Sequence, residues 1–172
     1  MASIGAENGL DDIRMRIVNS EDESKLLGWR NSSKIVKYTR TQSPISTQEH
    51  SHWFKKRLEV SELEPILIFM HGEASVGMTR LDLIRSLPKT YEVSILVDEG
   101  FQNAGLGTRM LFQTCSHAAK KLSATFVTAD IHNDNYASIK LFTNLGFIKQ
   151  IGESGNFSSY ELDTSSLTPI NS

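Results

Sequence analysis

Gln102-Asn103-Ala104-Gly105-Leu106-Gly107-Thr108 is the stretch whose residue types and spacing point most directly to chemistry. An alternating apolar run ends at Val97, the polar turn Asp98-Glu99-Gly100 follows, and two glycines one residue apart then open a segment with helical periodicity. This reads as a strand passing through a tight loop into a helix. Glycine lets the backbone turn sharply and lets a ligand lie against it, while the first helical turn offers unpaired N–H groups at the positive end of a dipole. The chemistry on offer is anion binding, most often of phosphate. Two common phosphate loops do not fit. A Walker loop ends in Gly-Lys-Ser/Thr, whereas Thr108-Arg109 follows Gly107. A dinucleotide fingerprint needs a third glycine and an acidic residue about 20 positions on.

The elements that must position this loop follow from periodicity. Residues 1–11 are small and polar and read as a loose leader, 12–163 as the folded domain, and 164–172 as a frayed tail. Ile13, Met15 and Ile17 alternate as a first strand, and Ser20-x-x-Glu23 predicts a capping box for a helix running to Arg30. A mixed stretch from Ser33 to Ser46, with one helical turn, leads to a second box at Ser46-x-x-Glu49. That box opens a helix whose His50, Trp53, Phe54 and Leu58 share one face. Strands follow at Pro65 to Phe69, from Ser75, and at Tyr91 to Val97, with a parity shift that predicts a bulge near Thr79-Arg80. After the loop come a helix to Leu122, a strand from Ala124 to Ile131, a helix opened by Asn135 and stopped at Gly146, and a closing hairpin. The meander before the loop is antiparallel. The strand-helix-strand unit around the loop is a parallel crossover. The fold class is α/β, a mixed, mostly antiparallel sheet of six to seven strands with helices on both faces.

Composition narrows the setting. A chain of 172 residues suits one domain. A net charge of −2 argues against a general nucleic-acid binder, so an anionic ligand must be held by local geometry. No stretch approaches the ~18 apolar residues of a membrane span. The start of the chain lacks a signal-peptide pattern, and the single Cys115 cannot form an internal disulfide, so the expected location is cytoplasmic. Cys115 falls in an apolar stripe and reads as a buried small hydrophobe. No His, Cys and Asp cluster has metal-ligand spacing, and no metal is expected.

Two motifs together carry a resemblance. Gln102-x-x-Gly105-x-Gly107 after the fourth strand, and Asn135-x-x-Ser138-x-x-x-Phe142-x-x-x-Gly146-Phe147 after the fifth, resemble the GCN5-related N-acetyltransferase (GNAT) family over nearly the full chain. Trp29-Arg30-Asn31-Ser32 with Ile45-Ser46-x-x-Glu49-His50-x-x-Trp53-Phe54 resembles, more narrowly, the branches that acetylate nucleotide-linked amino sugars and ribosomal proteins. The resemblance implies acetyl-CoA as co-substrate, lying where the fourth and fifth strands splay apart in a V. Its pyrophosphate would rest on the amides of Gln102, Asn103, Ala104, Gly105, Leu106, Gly107 and Thr108, its pantetheine along Leu96 and Val97, and Asn135 would bond the arm. The implied reaction is direct attack of a primary amine on the thioester.

One position departs from the family pattern. Many members carry, where this chain has Phe142, a tyrosine that protonates the leaving thiolate, and Phe142 has no proton to donate. Ser138, one turn earlier, shares its helical face, whereas Tyr136 does not. Ser138 or a water then serves, or the thiolate leaves unaided, or turnover is modest. Glu92, on the strand leading to the loop and facing away from Val93 and Ile95, is the first choice of base; its alternative is a surface glutamate paired with lysine. His50 and His52 come next, each with packing or solvent exposure as the plainer role. Trp29, Arg30 and Tyr38 offer an acceptor platform, with Arg80 facing a substrate phosphate. Three functions compete: acetylation of a small amine, headed by nucleotide-linked amino sugars; acetylation of a protein N-terminus or lysine; and a non-catalytic acyl-CoA-binding module. The expected state is a monomer or homodimer with no nucleic-acid or membrane partner.

Overall fold

Seven strands are present among the described residues, 13–152 and 155–168 of a computed structural model. They are β1 (Ile13–Ile17), β2 (Ile66–His71), β3 (Ala74–Ser86), β4 (Lys89–Val97), β5 (Phe126–His132), β6 (Ile148–Lys149) and β7 (Phe157–Asp163). They form one sheet in the order β1-β2-β3-β4-β5-β7-β6, antiparallel except at β4 and β5. The helices are α1 (Glu23–Arg30), α2 (Ser33–Val36), α3 (Thr47–Glu59), α4 (Leu106–Leu122) and α5 (Tyr136–Asn144). The expected α/β class and mixed sheet are as observed; the leader at residues 1–11 lies outside the described residues.

Both faces of the sheet are covered because its strands alternate. Val93, Val127 and Ala129 pack with Leu111, Cys115 and Phe142 beneath α4 and α5. Ile66 and Ile68 pack on the opposite face with Leu26, Trp29 and Phe54 of α1 and α3. Arg57 at the end of α3 is buried and ties that helix to the sheet, meeting Glu64 at 3.0 Å and Asp82 at 2.6 Å, and donating to the Leu81 carbonyl. Cys115 is fully buried, as expected, and burial pushes its thiol far above the ordinary value.

The feature that shapes the site is the short β4–β5 ladder. These strands pair only at Thr90–Phe126, Tyr91–Val127 and Glu92–Thr128, after which β4 continues to Val97 and β5 to His132 without pairing to each other. This is the expected splay. On its far side β4 stays zipped to β3 as far as Gly77–Val97. A Cβ on Gly77 would stand 2.4 Å from the Leu96 carbonyl oxygen, so only glycine lets the strands approach that closely here.

Three local expectations are corrected. The helix entry is capped one residue earlier: Asn19 accepts from the turn and Asp22 reciprocates, making a 3-10 turn at Ser20–Asp22 before α1. Asp22 wins over Glu23 because Arg16 grips both its oxygens at 2.7 Å. The bulge sits not at Thr79-Arg80, which pair regularly, but at Val76, between the pairs Phe69–Gly77 and Met70–Ser75. There it turns Val76 into the core beside Met110. A second irregularity skips Ile84. Finally, of the tail expected at 164–172, residues 169–172 lie outside the described residues, while at its start the Thr164 backbone N–H donates to Thr125 at 3.0 Å, its hydroxyl to Ala124 at 2.8 Å, and Leu167 packs on the core.

Candidate active site

Beyond Glu92 and Thr128 the diverging strands leave a cleft of about 550 Å³. Its floor follows from strand parity. Val93 and Ile95 of β4 and Ala129 and Ile131 of β5 face the α4 and α5 side, so Glu92, Ser94 and Leu96 stand opposite Asp130 and His132 on the other face. Helices α1 and α3 and the α2–α3 connection wall it with Trp29, Arg30, Tyr38, Arg40, His50 and Trp53. Asn135, Ser138 and Phe142 of the α5 region close its far end.

The cleft therefore gathers Trp29, Arg30, Tyr38, His50, Arg80, Glu92, Leu96, Asn135, Ser138 and Phe142, residues spread over more than half the chain. Val97 and Gln102 to Thr108 lie beyond its β4 end, where Val97, Ala104 and Leu106 pack into the neighbouring cluster. His52 is exposed and does not reach the cleft. His50 borders it but is packed: it is 2% exposed, stacks on Phe54 at 5.9 Å and bonds the Glu23 carbonyl through Nε2.

The loop turns through two left-handed residues into a helix start. Asn103 and Gly105 both adopt positive φ, at 62° and 75°, and Gly105 is the N-cap of the seventeen-residue α4. A Cβ on Gly105 would meet no protein atom within 4 Å, so the space beside it is open. Gly107 serves differently, because its missing side chain lets Leu141 and Val97 close in. Gln102 braces the turn by donating its side-chain amide to the Val97 carbonyl at 3.1 Å. Asn135 caps α5, its side-chain oxygen accepting the Ser138 N–H, which leaves its amide N–H donors for another partner.

Charge inside the cleft is mixed. Burial pushes the Glu92 carboxyl above the usual range, and the neighbouring carboxylates Asp130 and Asp82 add to that, while Arg80 and Arg40 act against it. Arg80 donates to Asp82 at 2.8 Å and lies 5.8 Å from the Trp53 ring centre; Arg40 pairs with Asp130 and covers the Phe157 ring. Arg30 donates to the Thr41 hydroxyl and the Ser43 carbonyl; burial lowers its proton affinity, the Glu49 carboxylate acts against that, and Arg80 adds to it. Phe142 is 2% exposed and meets Phe147 edge-on at 4.9 Å. Asp130, His132 and Arg40 were missed in the sequence. The first two were detectable as the polar parity of the β5 strand, whereas Arg40 sits in an aperiodic connection that carries no such signal.

The profile of an acetyltransferase (GNAT) domain matches residues 12–148. The chain belongs to the GNAT acetyltransferase family. No curated protein matches it. Among solved structures, a domain from Methanocaldococcus jannaschii is similar at 25% identity, over 88% of this chain and 98% of that one, with a TM-score of 0.77. Spermidine N-acetyltransferase from Vibrio cholerae, in complex with CoA and spermine, aligns at 15% identity over 89% and 96% with a TM-score of 0.77. A Salmonella typhimurium protein with its cofactor acetyl-CoA aligns at 19% identity over 94% and 99% with a TM-score of 0.71. As a member of the GNAT family, the chain is an acetyl-CoA-dependent N-acetyltransferase. Among its described residues no His, Cys, Asp or Glu group stands ready to hold a metal, and no helix is long and apolar enough to cross a membrane.

Proposed function

We propose that this acetyltransferase acts on a small primary amine that also carries an anionic group, with nucleotide-linked amino sugars as the leading class. The observation that carries this reading is Arg30. Arg40 and Arg80 are neutralised by Asp130 and Asp82, but Arg30 contacts only a hydroxyl and a carbonyl. A half-buried guanidinium that makes no ion pair of its own, with the Glu49 carboxylate of the same cleft favouring its charge only at longer range, on a wall shared with Trp29, Tyr38 and Trp53, suits a phosphate beside a ring. A cleft of about 550 Å³ also suits a small acceptor better than a folded protein surface.

In this reading, acetyl-CoA supplies the activated acetyl group as its thioester. The loop amides from Gln102 to Thr108 hold its pyrophosphate, and the side of β4 that β5 leaves unpaired beyond Glu92, including Leu96 and Val97, takes the pantetheine arm as an added strand. Asn135 offers the arm its amide N–H groups. Glu92, held as a strong proton acceptor by burial, takes the proton from the attacking amine. The new N–C bond forms as the C–S bond breaks, and the departing sulfur gains a proton from Ser138 or water.

The test is release of free thiol from acetyl-CoA with a panel of nucleotide-linked amino sugars, spermidine and an N-terminal peptide. Turnover with the first class supports the reading; turnover confined to spermidine or the peptide overturns it. Stabilisation by acetyl-CoA without thiol release from any amine would instead identify a binding module. Phe142→Tyr bears on the acid. It is expected to raise kcat roughly tenfold, below the usual reach of acid catalysis because a thiol of pKa about 8.5 leaves without much help. An unchanged kcat in stopped-assay kinetics would show that proton delivery is not limiting.

A further inference from the structure

Asp98, the residue after β4, holds two parts of the molecule at once. One carboxylate oxygen accepts the Gly100 N–H at 3.0 Å and starts the 3-10 turn that leads to Gly105. The other accepts the indole N–H of Trp29 at 2.7 Å, across 69 residues of sequence. Lys25, one helical turn before Trp29, stands 3.7 Å from that second oxygen and lies over the indole ring. The indole bond, more than any other contact, holds the Asp98 carboxyl below the usual range, so it stays an ionised acceptor. Glu99 repeats the link one residue on, accepting from the Ser32 hydroxyl at 2.7 Å and pairing with Lys34 at 2.9 Å.

These contacts are unequal. The Glu99 pair is exposed, and exposed ion pairs contribute little. The Trp29–Asp98 bond is partly buried and charge-assisted, and its donor belongs to a ring only 9% exposed that walls the cleft. No loop residue from Gln102 to Thr108 lines that cleft, and Asp98 joins the indole to the turn that leads into the loop.

We propose that Trp29 and Asp98 are positioning residues that couple the acceptor wall to the donor loop, the indole–carboxylate bond holding the loop's amides in their binding arrangement. This rests on the assignment of Gln102 to Thr108 as the pyrophosphate site. One consequence is reciprocal: an acceptor that seats against Trp29 tightens acetyl-CoA binding, and acetyl-CoA tightens the acceptor by the same factor.

The experiment is calorimetric titration of CoA, with no acceptor present, into the wild-type chain, Trp29→Phe, Asp98→Asn and the double variant. Trp29→Phe keeps a ring and removes the donor; Asp98→Asn keeps an oxygen for Gly100 while turning N–H groups toward the indole. Each single change is expected to raise Kd about tenfold, and the double variant no further. Phe54→Leu, in the same apolar cluster but away from the bond, should lower Tm and leave Kd unchanged. Wild-type affinity in both folded single variants, or fully additive losses in the double, overturns the proposal. Equal weakening by Phe54→Leu overturns it too, by reducing the effect to general loosening. Gly105→Asn separates the two ideas: retained CoA binding there rejects the loop assignment itself, whereas lost binding there with wild-type Kd in Trp29→Phe and Asp98→Asn rejects only the coupling.

Discussion

Gly105→Asn is expected to weaken acetyl-CoA binding at least about 100-fold while the protein stays folded, the scale of losing two hydrogen bonds to a charged group. Gly105 sits at φ 75° as the N-cap of α4, with Asn103 at φ 62° two residues before it. Two left-handed residues so close together turn successive amides toward one side, and the helix start adds its dipole. Most side chains at Gly105 would be strained by about 1–2 kcal/mol, which would confuse folding with binding. Asparagine tolerates this conformation, and its Cβ would meet no protein atom within 4 Å. Its effect is therefore confined to the open space beside the loop. The measurement is CoA titration beside thermal melting; unchanged affinity with an unchanged Tm would reject the loop as the pyrophosphate site.

Glu92→Gln is expected to lower kcat/KM by roughly 10²-fold or more and to remove the acidic limb of its pH profile. Burial, then Asp130 and Asp82, raise the Glu92 carboxyl, so in the wild-type chain that limb lies above the ordinary carboxylate range. Glutamine has the same shape and no titration, which isolates proton transfer from packing. The same shift predicts an opposite effect on stability. A carboxyl raised on folding binds its proton more tightly in the native state, so stability present below the unfolded value is lost as pH rises through the folded value. Glu92→Gln should therefore melt slightly higher than wild type at neutral pH and not at low pH. A profile that keeps its acidic limb, or an unchanged kcat/KM, would remove Glu92 from the role of base.

Much of the architecture was legible in the chain because it is written in local periods. The alternation from Tyr91 to Val97, the helical spacing of Leu111, Cys115 and Ala118, and glycines at 105 and 146 each depend on neighbours a few residues away. Those local patterns, with two motifs at Gln102 and Asn135, were enough to indicate the α/β class, the parallel unit and the family. The misplaced details are those that depend on a distant partner. Arg16 chose Asp22 over Glu23 for the cap, and the β2 pairing placed the bulge at Val76. Contacts to Ala124 and Thr125 anchored Thr164.

What the sequence determined by itself was a glycine-bearing turn leading from a strand into a helix, and a later helix opening with Asn135. Only the tertiary structure decided the rest. The β4–β5 ladder stops at Glu92 and Thr128, and that single fact opens the cleft. Folding puts Asp130 and His132 across from Glu92, packs His50 on Phe54 and the Glu23 carbonyl, and leaves Arg30 bonded to a hydroxyl and a carbonyl without an ion pair. It also brings Trp29 onto Asp98, 69 residues away. Burial and pairing are properties of chain segments that meet only after folding, so neither the raised Glu92 carboxyl nor the Trp29–Asp98 bond has a local signature in the sequence.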